Sequence, residues 1–232
     1  MNETKEIDTK LSCEFCKRSF VQERNFMRHI CEPKRRWLDK DKQSNRIAFQ
    51  CFVDFFRKQS ASKKLKTYED FIKSPYYGAF MKFGNYCIDV NCINISRFCD
   101  WLLKDNHKID YWCTDSNYNK FLIEYLKAED AYDAIKRSIQ YCMEIAPEYN
   151  LQYHDLLRFG NAYKICHAVT TGKISPWMLY QSSSGVEFLS KLDPTQEKIV
   201  LDYINPEHWA IKFTREADIV VDIKKLLKDA GY

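Results

Sequence analysis

Three cysteines and one histidine near the start of the chain, spaced Cys13-x2-Cys16-x12-His29-x-Cys31, constrain its fold more than any other feature. Thiolate sulfur and imidazole nitrogen are preferred ligands of Zn2+, and structural zinc sites close a tetrahedron with four of them. A two-residue gap lets both thiolates of a tight knuckle face one ion. The twelve-residue gap then carries the chain through a second strand and into a helix that supplies His29. So short a unit cannot bury enough surface to fold alone, so Phe20 and Phe26, which fall between the ligand pairs, would cover the metal. Residues i and i+2 of a regular helix point about 200° apart, so the helix must end at or near His29 if Cys31 is to reach the same ion. Pro33 supports an early stop, because proline disfavours helical geometry at the preceding residue, Glu32. Two alternatives stay open at this level: the fourth ligand is another residue or water, or Cys13 and Cys16 are ordinary thiols.

With both cysteines, the histidine and the two aromatics in register, residues 11–33 resemble the Cys2His2 zinc-finger family. The departure is at the fourth ligand, where one residue separates His29 from a cysteine and the family leaves three to five before a second histidine. The resemblance implies a small ββα unit around a structural Zn2+, with a helix over roughly 21–28 whose exposed face reads bases in the major groove. That face would display Gln22, Glu23, Arg24, Asn25 and Arg28, and Gln, Asn and Arg are the side chains capable of bidentate contact with adenine and guanine. A solvated helix face has the same composition, and a lone finger covers about three base pairs. A positioning or protein-binding role is therefore equally open.

Charge is distributed unevenly. Residues 1–66 hold 17 Lys and Arg against 9 Asp and Glu, out of 36 and 32 in the whole chain, so an excess of 8 positive charges surrounds the Cys/His motif and the remainder is net acidic by 4. Basic patches attract phosphate through counterion release, without regard to sequence. The densest part is Lys34-Arg35-Arg36-Trp37 with Lys40, Lys42 and Arg46, where Trp37 is available to stack on an unpaired base. A second run, Lys63-Lys64-Leu65-Lys66, sits in a Ser-containing loop. Either run alone reads equally as a solubilising surface.

The rest of the chain reads as a helical domain. Hydrophobic residues make up 45% and aromatics 15%, enough for a real core, while Gly and Pro number only six each, too few for a turn-rich sandwich or barrel. The expected architecture is mostly α: a small ββα zinc finger with its basic extension over 1–43, joined through Asp39 to Gln43 to a larger helical domain over 44–232. Apolar spacing predicts a helix over 44–59 with an aromatic face, and further helices near 75–83, 94–104, 117–144, 159–171, 176–181, 194–204, 206–213 and 216–229. Ser74-Pro75, Ser175-Pro176, Asp193-Pro194 and Asn205-Pro206 are helix-start signals, and Gly172 and Gly231 plausible stops. The stretch Phe83 to Ile95 is the one place where a strand or extended loop is expected.

The N-terminus is polar, and no run approaches the roughly 20 apolar residues of a membrane span. A soluble, intracellular chain with no membrane contact is expected. Seven of the ten cysteines (Cys51, Cys87, Cys92, Cys99, Cys113, Cys142, Cys166) then read as reduced thiols lying mainly in the core. Chemistry is sparse in the body. Cys166-His167, His154-Asp155, His107 with Cys113, and Glu207-His208 are the candidates, and no P-loop, Rossmann glycine run, HExxH helix or GxSxG elbow occurs. These features favour a non-enzymatic, zinc-containing nucleic-acid-binding accessory protein, for DNA or RNA, whose helical domain contacts a protein partner. The compact Lys-, Asn- and Tyr-rich style looks like that of large-virus or phage proteins, in replication, transcription or packaging. A protein-interaction adaptor without nucleic-acid binding and a metal-dependent nuclease built from dispersed carboxylates are the alternatives.

Overall fold

A computed structural model describes residues 11–59, 65–104 and 107–232. Lys63 and Lys64 of the second basic run lie outside the described residues. The chain is mostly helical: a two-residue antiparallel pair, β1 (Leu11–Ser12) and β2 (Ser19–Phe20), precedes fifteen α-helices among the described residues. No helix among them is long and apolar enough to cross a membrane. Two compact units form, one from residues 1–89 with 95–113, the other from 90–94 with 114–232.

In the first unit the strand pair leads into α1 (Glu23–Arg28), α2 (Glu32–Leu38), α3 (Gln43–Gln59), α4 (Tyr68–Lys73), α5 (Tyr77–Asp89) and α6 (Ile95–Lys104). As its period requires, α3 turns a strongly aromatic face inward. Phe52 meets Phe71 of α4 and Phe80 of α5, and Phe55 meets Phe80 and the fully buried Trp112. Thr67 caps α4 by a reciprocal box with Asp70. The basic run after the Cys/His motif is helical: Cys31 is the N-cap of α2 and Pro33 lies in its first turn, where the missing N–H costs nothing. Pro33 therefore begins a second helix as well as following the end of the first.

The expectation of an extended segment over 83–95 is overturned. Helix α5 runs on through Asp89, because Phe80, Phe83 and Cys87 recur at helical spacing and are buried against α3 and the 107–112 segment. Only residues 90–94 leave helical geometry, with Asn91 in the left-handed region (φ 49°). At Ser74-Pro75 the Ser74 hydroxyl accepts from the Tyr76 N–H as expected, but the regular helix starts at Tyr77.

The second unit contains α7 (Asp115–Ala128), α8 (Ala131–Ile145), α9 (Leu156–Phe159), α10 (Ala162–Thr170), α11 (Pro176–Gln181), α12 (Ser183–Ser190), α13 (Pro194–Ile204), α14 (Pro206–Arg215) and α15 (Ala217–Asp229). The single long helix expected over 117–144 is thus two, α7 and α8. Glu129 is extended, and the Asp130 carboxylate accepts from the N–H groups of Tyr132 and Asp133, capping a new helix. Tertiary contacts hold the break open: the buried Glu129 carboxylate accepts from the Ser175 hydroxyl at 2.8 Å and pairs with Arg137 at 2.6 Å. Similarly, 159–171 resolves into the end of α9 and the whole of α10. No helix is expected from the sequence over α2, α4 or α12, whose N-cap residues are Cys31, Thr67 and Ser182. Ser175, Asp193 and Asn205 cap α11, α13 and α14 as expected, and Gly172 (φ 73°) and Gly231 (φ 89°) take up left-handed stops. Helix α8 packs against α11 and α15, and Trp177, Trp209 and Phe213 form an aromatic cluster beside it.

Candidate metal centre

Local backbone geometry brings the four Cys and His side chains together. Leu11 pairs with Phe20 and Ser12 with Ser19, and the turn between is closed by Cys13 N–H donating to Arg18 O (2.9 Å) and Lys17 N–H donating to Cys13 O (2.8 Å). Lys17 is left-handed at φ 61°, which reverses the chain within the knuckle. Backbone N–H groups of Cys16 and Phe15 aimed at the Cys13 sulfur hold that thiol below its ordinary value against the effect of burial. On Cys31 burial dominates and pushes the thiol up.

The one-residue gap between His29 and Cys31 is resolved by where α1 stops. The helix ends at Arg28, and His29 (φ −73°, ψ 117°) and Cys31 (φ −81°, ψ 164°) are both extended. Alternate residues of an extended chain point to the same side. Side chains that a helix would splay apart therefore converge here.

The ligand atoms of Cys13, Cys16, His29 and Cys31 all lie within 4.8 Å of one another. Cys13 Sγ is 3.8 Å from Cys31 Sγ, and Cys16 Sγ is 3.2 Å from His29 Nε2. A tetrahedron with zinc bond lengths of about 2.3 Å to sulfur and about 2.0 Å to nitrogen has S···S edges of about 3.8 Å and S···N edges of about 3.5 Å. The donor set and its spacing therefore fit a four-coordinate ion of that size. Phe20 contacts Phe26 edge-on at 5.9 Å and lies 4.7 Å from the His29 ring, forming a small core over the cluster. Among the described residues this is the one group of three or more His, Cys, Asp or Glu whose ligand atoms converge so closely.

The basic residues near the cluster fall into two sets. Taking inward-facing Phe26 as the reference on α1, Arg24 and Arg28 lie on the opposite, exposed face, four residues apart. Gln22 and Asn25 are also exposed and hydrogen-bond to each other at 3.0 Å. On α2, Arg35 is exposed, whereas Arg36 and Trp37 turn inward. Arg36 donates to Ile72 O at 2.6 Å, pairs with Glu32 and lies 4.1 Å from the Tyr77 ring centroid. Trp37 packs between Phe15 (6.0 Å) and Tyr68 (5.7 Å), and Tyr68 donates its hydroxyl to Arg36 O. Lys34 Nζ donates to His29 O at 3.4 Å, Lys40 Nζ sits 5.4 Å from the Trp37 ring, and Lys42 pairs with Asp39 at 2.8 Å. Arg36 thus ties α2 to α4, a role that the run of cations in the sequence concealed.

The candidates in the body stay apart from any such cluster. Cys166 is buried while His167 is exposed, as their 100° separation on α10 requires. His154 lies 3.6 Å from the Asp155 carboxylate, and His107 stacks on Trp101. The His208 Nε2 is buried without a hydrogen-bond partner, and burial together with Lys127, Lys212 and Arg215 lowers its pKa. Cys51, Cys87, Cys99, Cys142 and Cys166 are buried, and burial pushes Cys142 up to about 11. The feature missed by sequence reasoning is the Glu129–Arg137–Ser175 network. Ser175 lies about forty residues beyond Glu129 and Arg137, and the Asp130 carboxylate, which caps α8, is the local signal that could have pointed to the break. Comparison with models of protein families, with curated proteins and with solved structures finds no match to this chain.

Proposed function

We propose that Cys13, Cys16, His29 and Cys31 hold a structural Zn2+, and that the module so ordered presents a basic surface to nucleic acid. The convergence of the four ligand atoms carries the metal assignment. Three thiolates and a neutral imidazole suit zinc, and in so small a module the ion's binding energy is its folding energy. The nucleic-acid assignment rests on the exposed Arg24 and Arg28 on the outward face of α1, with Gln22 and Asn25 beside them in sequence and Arg35, Lys40 and Lys42 exposed in the segment that follows. Arg36 and Trp37 are placed as anchors of the module, Lys34 borders the cluster, and the helical remainder is free to engage a protein partner.

An electrophoretic shift with single- and double-stranded DNA and RNA tests this reading. If about four cations contact phosphates, affinity falls about a hundredfold between about 50 and about 200 mM salt. Absence of any shift at the lower salt sinks the proposal, and degradation of the probes with Mg2+ would instead reveal a nuclease. A protein-binding adaptor is the second reading, favoured by Val21, Met27, Ile30 and Leu38, which are 63–84% exposed around the same module. It predicts no salt-sensitive nucleic-acid binding.

A further inference from the structure

Beside the metal cluster lies a cleft of about 310 Å3 that nothing described so far occupies. Its apolar lining is Phe15 from the knuckle, Trp37 from α2 and Ile72 from α4. Lys17, Lys73, Glu14 and Glu69 complete the lining, with Lys73 Nζ 3.6 Å from the Glu69 carboxylate. Resting on the nucleic-acid reading above, we propose that this cleft receives an unpaired base, so that single strands are the preferred ligand.

The chemistry of the lining carries the choice of occupant. A base is flat, apolar on its faces and polar at its edge. It gains from aromatic walls whatever its identity, since every base has a π-face. Phe15 and Trp37, in contact with each other at a centroid distance of 6.0 Å and tilted by 49°, supply one continuous aromatic surface on which a base can lie. The carboxylates of Glu14 and Glu69 only accept hydrogen bonds, which suits the amino and imino N–H groups that an unpaired base exposes. Lys17 and Lys73 are the cations of the lining that can meet the flanking phosphates, Lys73 exchanging its pairing with Glu69 for one of them. A base still paired in a duplex has both faces stacked and its edge bonded to its partner, so it offers this lining nothing that a single strand does not offer more freely.

The cleft is also held in shape before any ligand arrives. Trp37 is fixed by Tyr68, and its neighbour Arg36 is bonded to the carbonyl of Ile72, itself part of the lining. Side chains already held in the bound arrangement lose less freedom on binding. Glu14, Phe15 and Lys17 belong to the knuckle that carries Cys13 and Cys16, so one wall of the cleft exists only while the metal orders that turn. Zinc therefore governs base binding without touching the base.

Fluorescence anisotropy of labelled single strands, DNA and RNA, and of the matching duplexes provides the test, with the full-length zinc-loaded protein. Phe15→Leu, Lys73→Ala and Trp37→Phe are the variants, and zinc content and melting temperature verify that each is folded. Single strands are expected to bind about tenfold tighter than duplex, and Phe15→Leu and Lys73→Ala each to weaken single-strand binding about tenfold while leaving duplex binding unchanged. Tryptophan emission should be quenched by single strands in the wild type, and the quenching should be lost in Trp37→Phe. Salt-sensitive binding that is equal for both forms and unmoved by the variants overturns the cleft and leaves the basic surface standing. Absence of binding to every probe overturns both.

Discussion

Glycine-to-alanine substitution within a helix ordinarily stabilises by about 0.5–1 kcal/mol, because alanine loses less backbone freedom on folding. Helix α5 contains two glycines for which the structure predicts opposite signs. A Cβ on Gly78 would meet nothing within 4 Å, so Gly78→Ala should follow the ordinary rule. A Cβ on Gly84 would sit 2.4 Å from the Ser44 carbonyl oxygen, 3.2 Å from the Ala48 nitrogen and 3.3 Å from the Ala48 Cβ, all on α3. The nearest obstacle is backbone and cannot rotate away, so α3 and α5 must separate by about 1 Å across a well-packed aromatic core. Overpacking of that kind costs about 1–3 kcal/mol. It outweighs the propensity gain and leaves Gly84→Ala less stable by about 1–2 kcal/mol. For a chain of this length each kcal/mol moves the melting temperature by about 2–4 °C, giving a drop of about 2–8 °C, against a rise of about 1–4 °C for Gly78→Ala. Thermal unfolding followed by far-UV circular dichroism, with urea titration as a second measure, reads both. A Gly84→Ala protein as stable as the wild type would refute the close approach of α3 and α5.

Elemental analysis of protein purified without chelator should find about one zinc per chain, and Cys13→Ala or Cys16→Ala should abolish it while helical circular dichroism is largely retained. Retention of zinc by both variants would place the metal elsewhere. Arg36→Ala removes a charged hydrogen bond to Ile72 O and the contact with Tyr77, a loss of about 2–3 kcal/mol read as a lower urea midpoint at unchanged zinc content. An unchanged midpoint would show that Arg36 does not anchor α2. Glu129 titrates above its ordinary 4.5 in the folded chain, because burial outweighs Arg137 and Ser175. The folded state then binds more protons than the unfolded one just above that value, so Glu129 contributes stability below it that is lost as the pH rises through the folded pKa. Relative to Glu129→Gln, the wild type should lose stability as the pH rises from 4.5, measured by urea midpoints across that range. A difference that grows in favour of the wild type would reverse the assignment.

Much of the candidate centre is legible in the sequence because it is local. Cys13, Cys16, Phe20, Phe26 and His29 lie within seventeen residues, and chain geometry over so short a span leaves few arrangements that satisfy the spacing. The early helix end that Cys31 demands is likewise a local property, met by an extended backbone at His29. The cap-proline pairs at Ser175, Asp193 and Asn205 predict helix starts for the same reason: a short polar side chain satisfies free N–H groups two or three residues on.

What the sequence could not decide are contacts between residues distant in the chain. The apolar stripe from Phe121 to Cys142 favours one continuous helix, and it is broken where Asp130 caps a new helix and Glu129 is buried against Arg137 and Ser175. FGNYCIDVNCINI is rich enough in β-branched and aromatic residues to read as a strand, yet Phe83 and Cys87 find their partners on neighbouring helices and the segment stays helical to Asp89. The same distinction governs the basic run after the Cys/His motif. Its composition established a positive charge beside the Cys/His cluster, but which cations face solvent and which are tied down depends on α4 and α5, more than thirty residues away. Arg36 and Trp37 lie inside because Ile72, Tyr68 and Tyr77 offer a carbonyl and ring faces that compensate the burial of a guanidinium and an indole, and no periodicity within the run encodes that.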